Sequence, residues 1–181
     1  MAEINTAVFA GGCFWCTEAV FQKLRGVKSV VPGYAGGSVA NPTYEQVSTG
    51  STGHAEAIKF EYDPAQISYR DLLAVFFATH DPTTPNRQGN DVGTQYRSAI
   101  FYADGEQKAE AEQFIAELTA DGTFNAPIVT ELKLLTEFYE AEDYHKNYYE
   151  RNQGAPYCQV IISPKLKKLK EKFASLIQKD A

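Results

Sequence analysis

The segment that most constrains this fold leads from an apolar strand through paired glycines into a helix. The apolar run from Ile4 to Ala10 predicts a strand, Gly11 and Gly12 follow it, and apolar residues after position 18 recur at helical spacing. Cys13 is therefore predicted to lie in the first turn of that helix. Free backbone N–H groups and the helix dipole favour a thiolate there, so we expect a pKa below the ordinary value of about 8.5. The alternative is a small cysteine packed at a strand-helix corner.

Composition limits the classes of protein that the chain can belong to. Its 181 residues, 44% of them hydrophobic, predict a single domain over residues 1–181 with a substantial core. A net charge of −6 gives no reason to expect nucleic-acid binding, and the basic run 165–172 is interleaved with apolar residues, as in an amphipathic surface helix.

The same features predict where the chain works. No apolar stretch is long enough to cross a membrane, and the start Met1-Ala2-Glu3 does not resemble a signal peptide, so we expect a soluble cytoplasmic protein. Three cysteines are too few for a secreted disulfide framework, and in a reducing compartment they indicate a catalytic, redox or metal-binding role.

The remaining pattern predicts an α+β fold, a two-layer sandwich of helices on a mixed β-sheet. Period-2 and apolar runs predict further strands at 27–34, 55–62, 97–103, 128–135 and 159–162. Helical repeats and capping residues predict helices at 68–79, 104–122, 141–152 and from 163 onward. The segments 36–53 and 81–93 are rich in glycine, proline and asparagine, a composition and length typical of functional loops.

A carboxylate in the strand 55–62 is the second chemical clue. Alternation places Glu56 with the apolar residues Ile58 and Phe60, and burial should hold its proton to a higher pH than usual. Such an acid, with tyrosine hydroxyls, suits thiolate attack on a substrate whose oxygen must be protonated. In the alternative, Glu56 pairs with Arg97 or a lysine. The tyrosines in or beside the loops are Tyr44, Tyr96, Tyr148 and Tyr157.

Six ordered motifs carry a family resemblance. They are Gly12-Cys13-Phe14-Trp15-Cys16-Thr17-Glu18, Gly33-Tyr34-Ala35-Gly36-Gly37, Asn41-Pro42-Thr43-Tyr44, Gly53-His54-Ala55-Glu56, Asn90-Asp91-Val92-Gly93-Thr94-Gln95-Tyr96-Arg97-Ser98 and Tyr144-His145. In order and spacing, over nearly the whole chain, they resemble the peptide methionine sulfoxide reductase A family.

The resemblance implies reduction of the S-epimer of methionine sulfoxide, free or in proteins. It implies Cys13 as the attacking thiolate and Glu56 as the acid. The implied hydrogen-bond donors to the sulfoxide oxygen are Tyr44 and Tyr96, the residues around the substrate methyl are Phe14 and Trp15, and Asp91, otherwise a turn residue, completes the polar side of the pocket.

The implied chemistry leaves a Cys13 sulfenic acid that a second thiol converts to a disulfide, which an external dithiol such as thioredoxin reduces without a bound metal or other cofactor. Cys16, one helical turn away, is the preferred resolving thiol, although the family more often has glycine there. Cys158, at the position of the family's distal cysteine, is the alternative.

Three other functions remain open on the sequence. A thioredoxin-like oxidoreductase would use Cys13 and Cys16 for general dithiol exchange, without a role for Glu56. A protein-binding module would display Trp15 at its surface. A structural zinc site would use the three cysteines with His54, His80 or His145, although a second closely spaced ligand pair is missing.

Overall fold

The computed structural model describes residues 3–179 of the chain. Met1 and Ala2, at the start of the segment compared above with a signal peptide, lie outside this range. Its strands are β1 (Asn5–Gly11), β2 (Val27–Ala35), β3 (Ala55–Tyr62), β4 (Arg87–Gln88), β5 (Asp91–Val92), β6 (Ser98–Tyr102), β7 (Glu131–Leu134) and β8 (Phe138–Glu140). Its α-helices are α1 (Phe14–Phe21), α2 (Tyr44–Ser48), α3 (Tyr69–Ala78), α4 (Gly105–Ala120), α5 (Tyr148–Arg151) and α6 (Ser163–Lys172).

One six-stranded sheet organises these elements, in the order β7-β6-β1-β3-β2-β8. Neighbouring strands are antiparallel except for β6 and β7, which are parallel, so the sheet is mixed as predicted. Strands β4 and β5 form a small separate hairpin within the loop 81–93. This hairpin approaches the point where β1 turns into α1, because the Gln88 side chain lies over Gly12.

Strict alternation along β1 separates the two faces of the sheet. Ala7 and Phe9 belong to the main core under the helices, whereas Val8 and Ala10 belong to a smaller cluster on the opposite face. The Phe9 ring contacts aromatic rings of the adjacent strand and of two helices: Phe60 of β3, Phe21 of α1, and Tyr69 and Phe76 of α3. The predicted α+β arrangement of helices on a mixed sheet is confirmed.

Three predicted elements differ from the structure. The strand expected at 128–135 is shortened to β7. The helix expected at 141–152 is wrong, because Asn147 adopts a left-handed conformation (φ 54°) that divides a 3₁₀ turn, Asp143–His145, from the single turn α5. The buried carboxylate of Glu18 stabilises this break, since it accepts hydrogen bonds from the backbone N–H groups of Asn147 (3.0 Å) and Tyr148 (3.4 Å).

The strand expected at 159–162 is also wrong. Residues Cys158–Ile162 form a π-helix that continues directly into α6, so the C-terminal segment packs as helix against α1. A short apolar run does not by itself distinguish a strand from a buried helical turn. Here Cys158 and Ile162, four positions apart, are the buried residues, which is helical spacing.

Candidate active site

The turn from β1 into α1 presents Cys13 at the N-cap position of the helix, one residue before the first turn. Gly12 makes this turn possible, because its φ is +98° and a Cβ there would lie 2.6 Å from Gln88 Cγ. The cysteine is 8% exposed and lies within the main core cluster. The sequence predicted this thiol in the first turn of the helix, and the structure places it one residue earlier.

The expectation of a lowered Cys13 pKa is wrong for this state of the protein. Burial is the main cause that raises the pKa of the Cys13 thiol well above its usual value, and hydrogen bonding to Cys16 and the nearby Glu56 act in the same direction. The backbone N–H of Trp15 favours the thiolate but is outweighed. The helix terminus alone would lower this pKa, but desolvation and the facing carboxyl group of Glu56 raise it by more.

The anion is instead favoured on the neighbouring thiol. Hydrogen bonding from Cys13 is the largest influence on Cys16 and lowers its pKa to about 7 against the opposing effect of burial. Lys165 also favours the Cys16 thiolate. Cys16 Sγ lies 3.5 Å from Tyr157 Oη, whose single proton is donated to Asp91. Of the two neighbouring thiols, Cys16 is therefore the one whose ionisation its surroundings favour.

Glu56 behaves as the sequence predicted. It is 1% exposed on β3, and burial raises its pKa to about 8 although its Oε1 accepts a hydrogen bond from the Phe14 backbone N–H at 3.1 Å. Its Oε2 is buried without a hydrogen-bond partner in the described part of the chain. The alternative pairing with Arg97 or a lysine is contradicted, because Arg97 forms its ion pair with Glu131 (3.1 Å) and no lysine among residues 3–179 forms one with Glu56. Glu56 is a protonated acid at neutral pH.

The two predicted hydrogen-bond donors, Tyr44 and Tyr96, lie close enough to the site for its ionisable groups to affect their pKa values. Burial raises the pKa of Tyr44 to about 12, and the charges of Glu56 and Cys13 contribute to the rise. Burial also raises the pKa of Tyr96, with contributions from Glu56, Tyr44 and Cys13. Both hydroxyls therefore keep their protons at physiological pH and can donate hydrogen bonds.

Glu142 fixes the element that carries Tyr44, and sequence reasoning missed it. One carboxylate oxygen accepts a hydrogen bond from the Tyr44 backbone N–H at 2.9 Å, and the other accepts from the Tyr34 hydroxyl at 2.9 Å. The residue joins the start of α2 to the buried end of β2. Glu142 lies three residues before His145 of the Tyr144-His145 motif, and this closeness in the sequence was the signal that could have identified it.

An aromatic wall stands beside the cysteines. Trp15 stacks on Tyr148 with ring centroids 3.7 Å apart and meets the Tyr157 ring edge-on at 5.9 Å. Its indole N–H donates a hydrogen bond to Nδ1 of the buried His145 at 3.0 Å. Phe14 is fully buried and stacks against the Tyr44 ring at 6.4 Å. The indole is therefore held by stacking, an edge-on ring contact and a hydrogen bond, all from side chains in the C-terminal third of the chain.

A cleft of about 400 Å³, here called the cysteine cleft, leads from the surface to the two thiols, which are themselves buried. Its lining consists of Cys13, Cys16, Gln88, Gly89, Asn90, Asp91, Tyr157, Val160, Ile161 and Lys165. Asp91 accepts a hydrogen bond from the Tyr157 hydroxyl at 3.0 Å, so it does more than form a turn. Cys13 lines this cleft and also lies close to the buried carboxyl group of Glu56. A larger cavity of about 600 Å³, between the end of α3 and the start of α6, does not include Cys13 in its lining.

Cys158, the other candidate resolving thiol, is fully buried at the start of the π-helix. Burial raises its pKa, and the charge of Cys16 adds to the rise. It therefore stays protonated in this conformation, in contrast to Cys16.

Two of the three histidines proposed as zinc ligands have both ring nitrogens hydrogen-bonded elsewhere, and the third, His145, accepts a hydrogen bond from Trp15 at Nδ1. His54 bonds to the backbone of Val39 (2.7 Å) and Gly37 (3.0 Å), and His80 bonds to Phe76 O (2.5 Å) and Ser98 Oγ (2.8 Å). Over residues 3–179, His, Cys, Asp and Glu side chains form no group of three suited to holding a metal ion. Within the same range, no helix has the length and apolar character required to cross a bilayer.

A cysteine at a helix start, close to a buried carboxylic acid and two tyrosines, is an arrangement expected of an oxidoreductase that uses a thiol. The comparison with known families makes the assignment specific, since the profile described as peptide methionine sulfoxide reductase matches residues 5–177. The chain belongs to the peptide methionine sulfoxide reductase family, and it is an enzyme that reduces methionine sulfoxide.

Individual relatives agree with this assignment. Over 177 residues the chain is 56% identical to peptide methionine sulfoxide reductase MsrA of Deinococcus radiodurans, covering 98% of this chain and 86% of that protein. It resembles the reduced form of Mxr1 from Saccharomyces cerevisiae with a TM-score of 0.78 at 32% identity, over 86% of this chain and 90% of that one. Mxr1 in complex with Trx2 shares the fold, with a TM-score of 0.55 at 22% identity over 81% and 85% of the two chains.

Proposed function

We propose that residues 1–181 form one catalytic domain that reduces the S-epimer of methionine sulfoxide, free or in proteins, by attack of Cys13 on the sulfoxide sulfur. The epimer follows from the family resemblance. The observation that carries the mechanism is Glu56, whose unpartnered Oε2 belongs to an acid with a pKa of about 8 beside Cys13. An acid of that pKa holds a proton at neutral pH and can donate it to a leaving or transferring oxygen.

The first step requires a thiolate on Cys13. In this proposal the Cys13 proton passes to the neighbouring Cys16 thiolate when the sulfoxide, whose sulfur carries partial positive charge, enters the site. The Cys13 anion attacks that sulfur, the sulfur–oxygen bond of the substrate breaks, and the oxygen becomes bonded to Cys13 with the proton of Glu56. The products are methionine, a Cys13 sulfenic acid and ionised Glu56.

Substrate binding uses the groups around this reaction. Tyr44 and Tyr96 donate hydrogen bonds to the sulfoxide oxygen, which strengthen as negative charge develops on it. Phe14 and Trp15 enclose the substrate methyl group, which favours a methionine side chain over more polar sulfoxides. Asp91 forms the polar side of the pocket and is oriented by its hydrogen bond from Tyr157.

Resolution follows from the geometry of the two neighbouring thiols. Cys16 attacks the Cys13 sulfur, a disulfide forms, and the sulfenic hydroxyl leaves as water with the Cys16 proton. We prefer Cys16 to Cys158 because its pKa of about 7 supplies the nucleophile near neutral pH and three residues of helix hold it beside Cys13. An external dithiol, for which thioredoxin is the proposed donor in the cytoplasm, reduces the bridge, and solvent returns the proton to Glu56.

A single-turnover experiment tests this proposal. Reduced protein is mixed with each methionine sulfoxide epimer, and released methionine and the peptides of the bridge are quantified by mass spectrometry. We expect methionine from the S-epimer and a Cys13–Cys16 bridge. Cys13→Ser should release none, whereas the control Cys158→Ser should match the unmodified protein. Methionine release by Cys13→Ser, or a Cys13–Cys158 bridge, would refute the attacking and resolving roles respectively.

A further inference from the structure

Lys165 is the residue of the basic C-terminal helix that the proposed mechanism leaves without a role. The basic run of α6 contains Lys165, Lys167, Lys168, Lys170 and Lys172, and among these Lys165 is half-buried while the other four are exposed. Lysine is rarely withdrawn from water unless something compensates its charge. The sequence predicted a solvated basic face for this helix, and the structure turns its first lysine inward.

The surroundings of Lys165 contain a cysteine and no paired carboxylate. Lys165 lines the cysteine cleft together with Cys13 and Cys16, and it lines a second, small cavity together with Cys16 and His80. Among residues 3–179, the ion pairs leave Lys165 Nζ without an Asp or Glu oxygen within 4.0 Å. Cys16 is the ionisable residue common to both cavities.

The other ionisable groups facing Cys16 supply no positive charge. Cys13 and Tyr157 are neutral, the Tyr157 hydroxyl donates its proton to Asp91, and neither Glu56 nor Asp91 can carry a positive charge. Burial lowers the pKa of His80 to about 4, and both of its ring nitrogens are already hydrogen-bonded, so it is neutral at physiological pH. Cys158 is a buried neutral thiol.

From this arrangement we propose that Lys165 is a positioning residue that holds the Cys16 sulfur as an anion in the reduced enzyme, ready to accept the Cys13 proton and then to close the disulfide. The part of this inference that concerns disulfide closure rests on the proposed resolving role of Cys16. The part that concerns the ionisation of Cys16 does not. A cation of this kind stabilises a thiolate and thereby lowers its pKa, and Lys165 is indeed one of the causes of the low Cys16 pKa, after hydrogen bonding from Cys13.

The direct test measures the ionisation of Cys16 without turnover. Alkylation of Cys16 by iodoacetamide is followed peptide by peptide from pH 5.5 to 9.5 in the reduced protein. Removing one nearby cation typically raises a thiol pKa by about one unit, so the alkylation midpoint of Lys165→Met and Lys165→Gln should move up by about that amount. Lys165→Arg should retain the original midpoint. Lys167→Met, an exposed lysine two positions along the same helix and therefore on a different face, is the matched control and should not shift.

The kinetic consequence has a distinct signature. With a pKa near 7, about half of Cys16 is ionised at pH 7, and a rise of one unit leaves about a tenth, so disulfide closure should slow about fivefold at pH 7 and recover by pH 9. A merely structural role would slow closure equally at every pH. An unmoved midpoint in both neutral variants would overturn the assignment of Lys165. A Cys13–Cys158 bridge would overturn the resolving role of Cys16, and the alkylation midpoint would still decide the role of Lys165.

Discussion

Replacing Glu56 by glutamine should stabilise the protein as it removes the proposed acid. The folded-state pKa of Glu56 is about 8 against 4.5 for an exposed glutamic acid, chiefly because of burial. Between these values the folded protein binds a proton that the unfolded chain has lost, so stability present below pH 4.5 is lost as the pH rises through 8. Each pH unit in this window costs about 1.4 kcal/mol for one such group.

The magnitude follows from that slope. From pH 5.5 to 7.5 the unmodified protein should lose about 3 kcal/mol of unfolding free energy through Glu56, and Glu56→Gln should lose none by this route. Glutamine keeps the acceptor for the Phe14 N–H, and its amide takes the place of an oxygen that bonds to nothing in the described residues. The side chain is therefore a close replacement in shape.

Urea unfolding at half-unit pH steps, for both proteins under reducing conditions, measures the difference directly. We expect the stability curves to diverge with rising pH, with Glu56→Gln more stable above pH 6 and less active at every pH. Parallel curves would mean that Glu56 is ionised in the folded protein, and the argument for a protonated acid would fail.

Four further predictions concern the same site. Catalytic turnover should decline as the pH rises past about 8, because Glu56 then loses its proton, and a steady-state pH profile checks this. Tyr44→Phe and Tyr96→Phe should each lower kcat/KM about tenfold, the worth of one hydrogen bond to a charged oxygen; an unchanged value in both would remove them from the mechanism. Glu142→Gln should cost about 1–3 kcal/mol in urea unfolding, since two donors lose a charged acceptor. Trp15→Phe loses the hydrogen bond to His145 and should raise KM more than it lowers kcat.

The sequence predicted the parts of this fold that depend on local pattern. Alternation gave the bounds of β3 and the inward direction of Glu56, and the capping box at Ser68 and Asp71 marked the start of α3. The glycine turn before Cys13 was equally local, because only the conformation of Gly12 is needed to explain it. Such features depend on residues that are close together in the sequence, so the folded protein retains them.

Features that depend on distant parts of the chain were not predictable in this way. The pKa of Cys13 reflects desolvation and the facing Glu56, neither of which the helix-terminus argument contains. The break at Asn147 depends on the carboxylate of Glu18, 129 positions earlier in the sequence. The inward turn of Lys165 likewise requires the packing of α6 against α1. These are the contacts that set the charge and access of the reacting sulfur.

The most direct test of the account identifies the sulfur that receives the substrate oxygen. A protein with Cys16→Ser and Cys158→Ser is mixed with one equivalent of S-methionine sulfoxide in the presence of dimedone, which labels sulfenic acids, and the Cys13 peptide is analysed by mass spectrometry. The account predicts one equivalent of methionine and one dimedone adduct on Cys13 for each molecule of enzyme, formed more slowly than in the unmodified protein because Cys16 no longer accepts the Cys13 proton. Methionine formed without oxidation of Cys13 would contradict it.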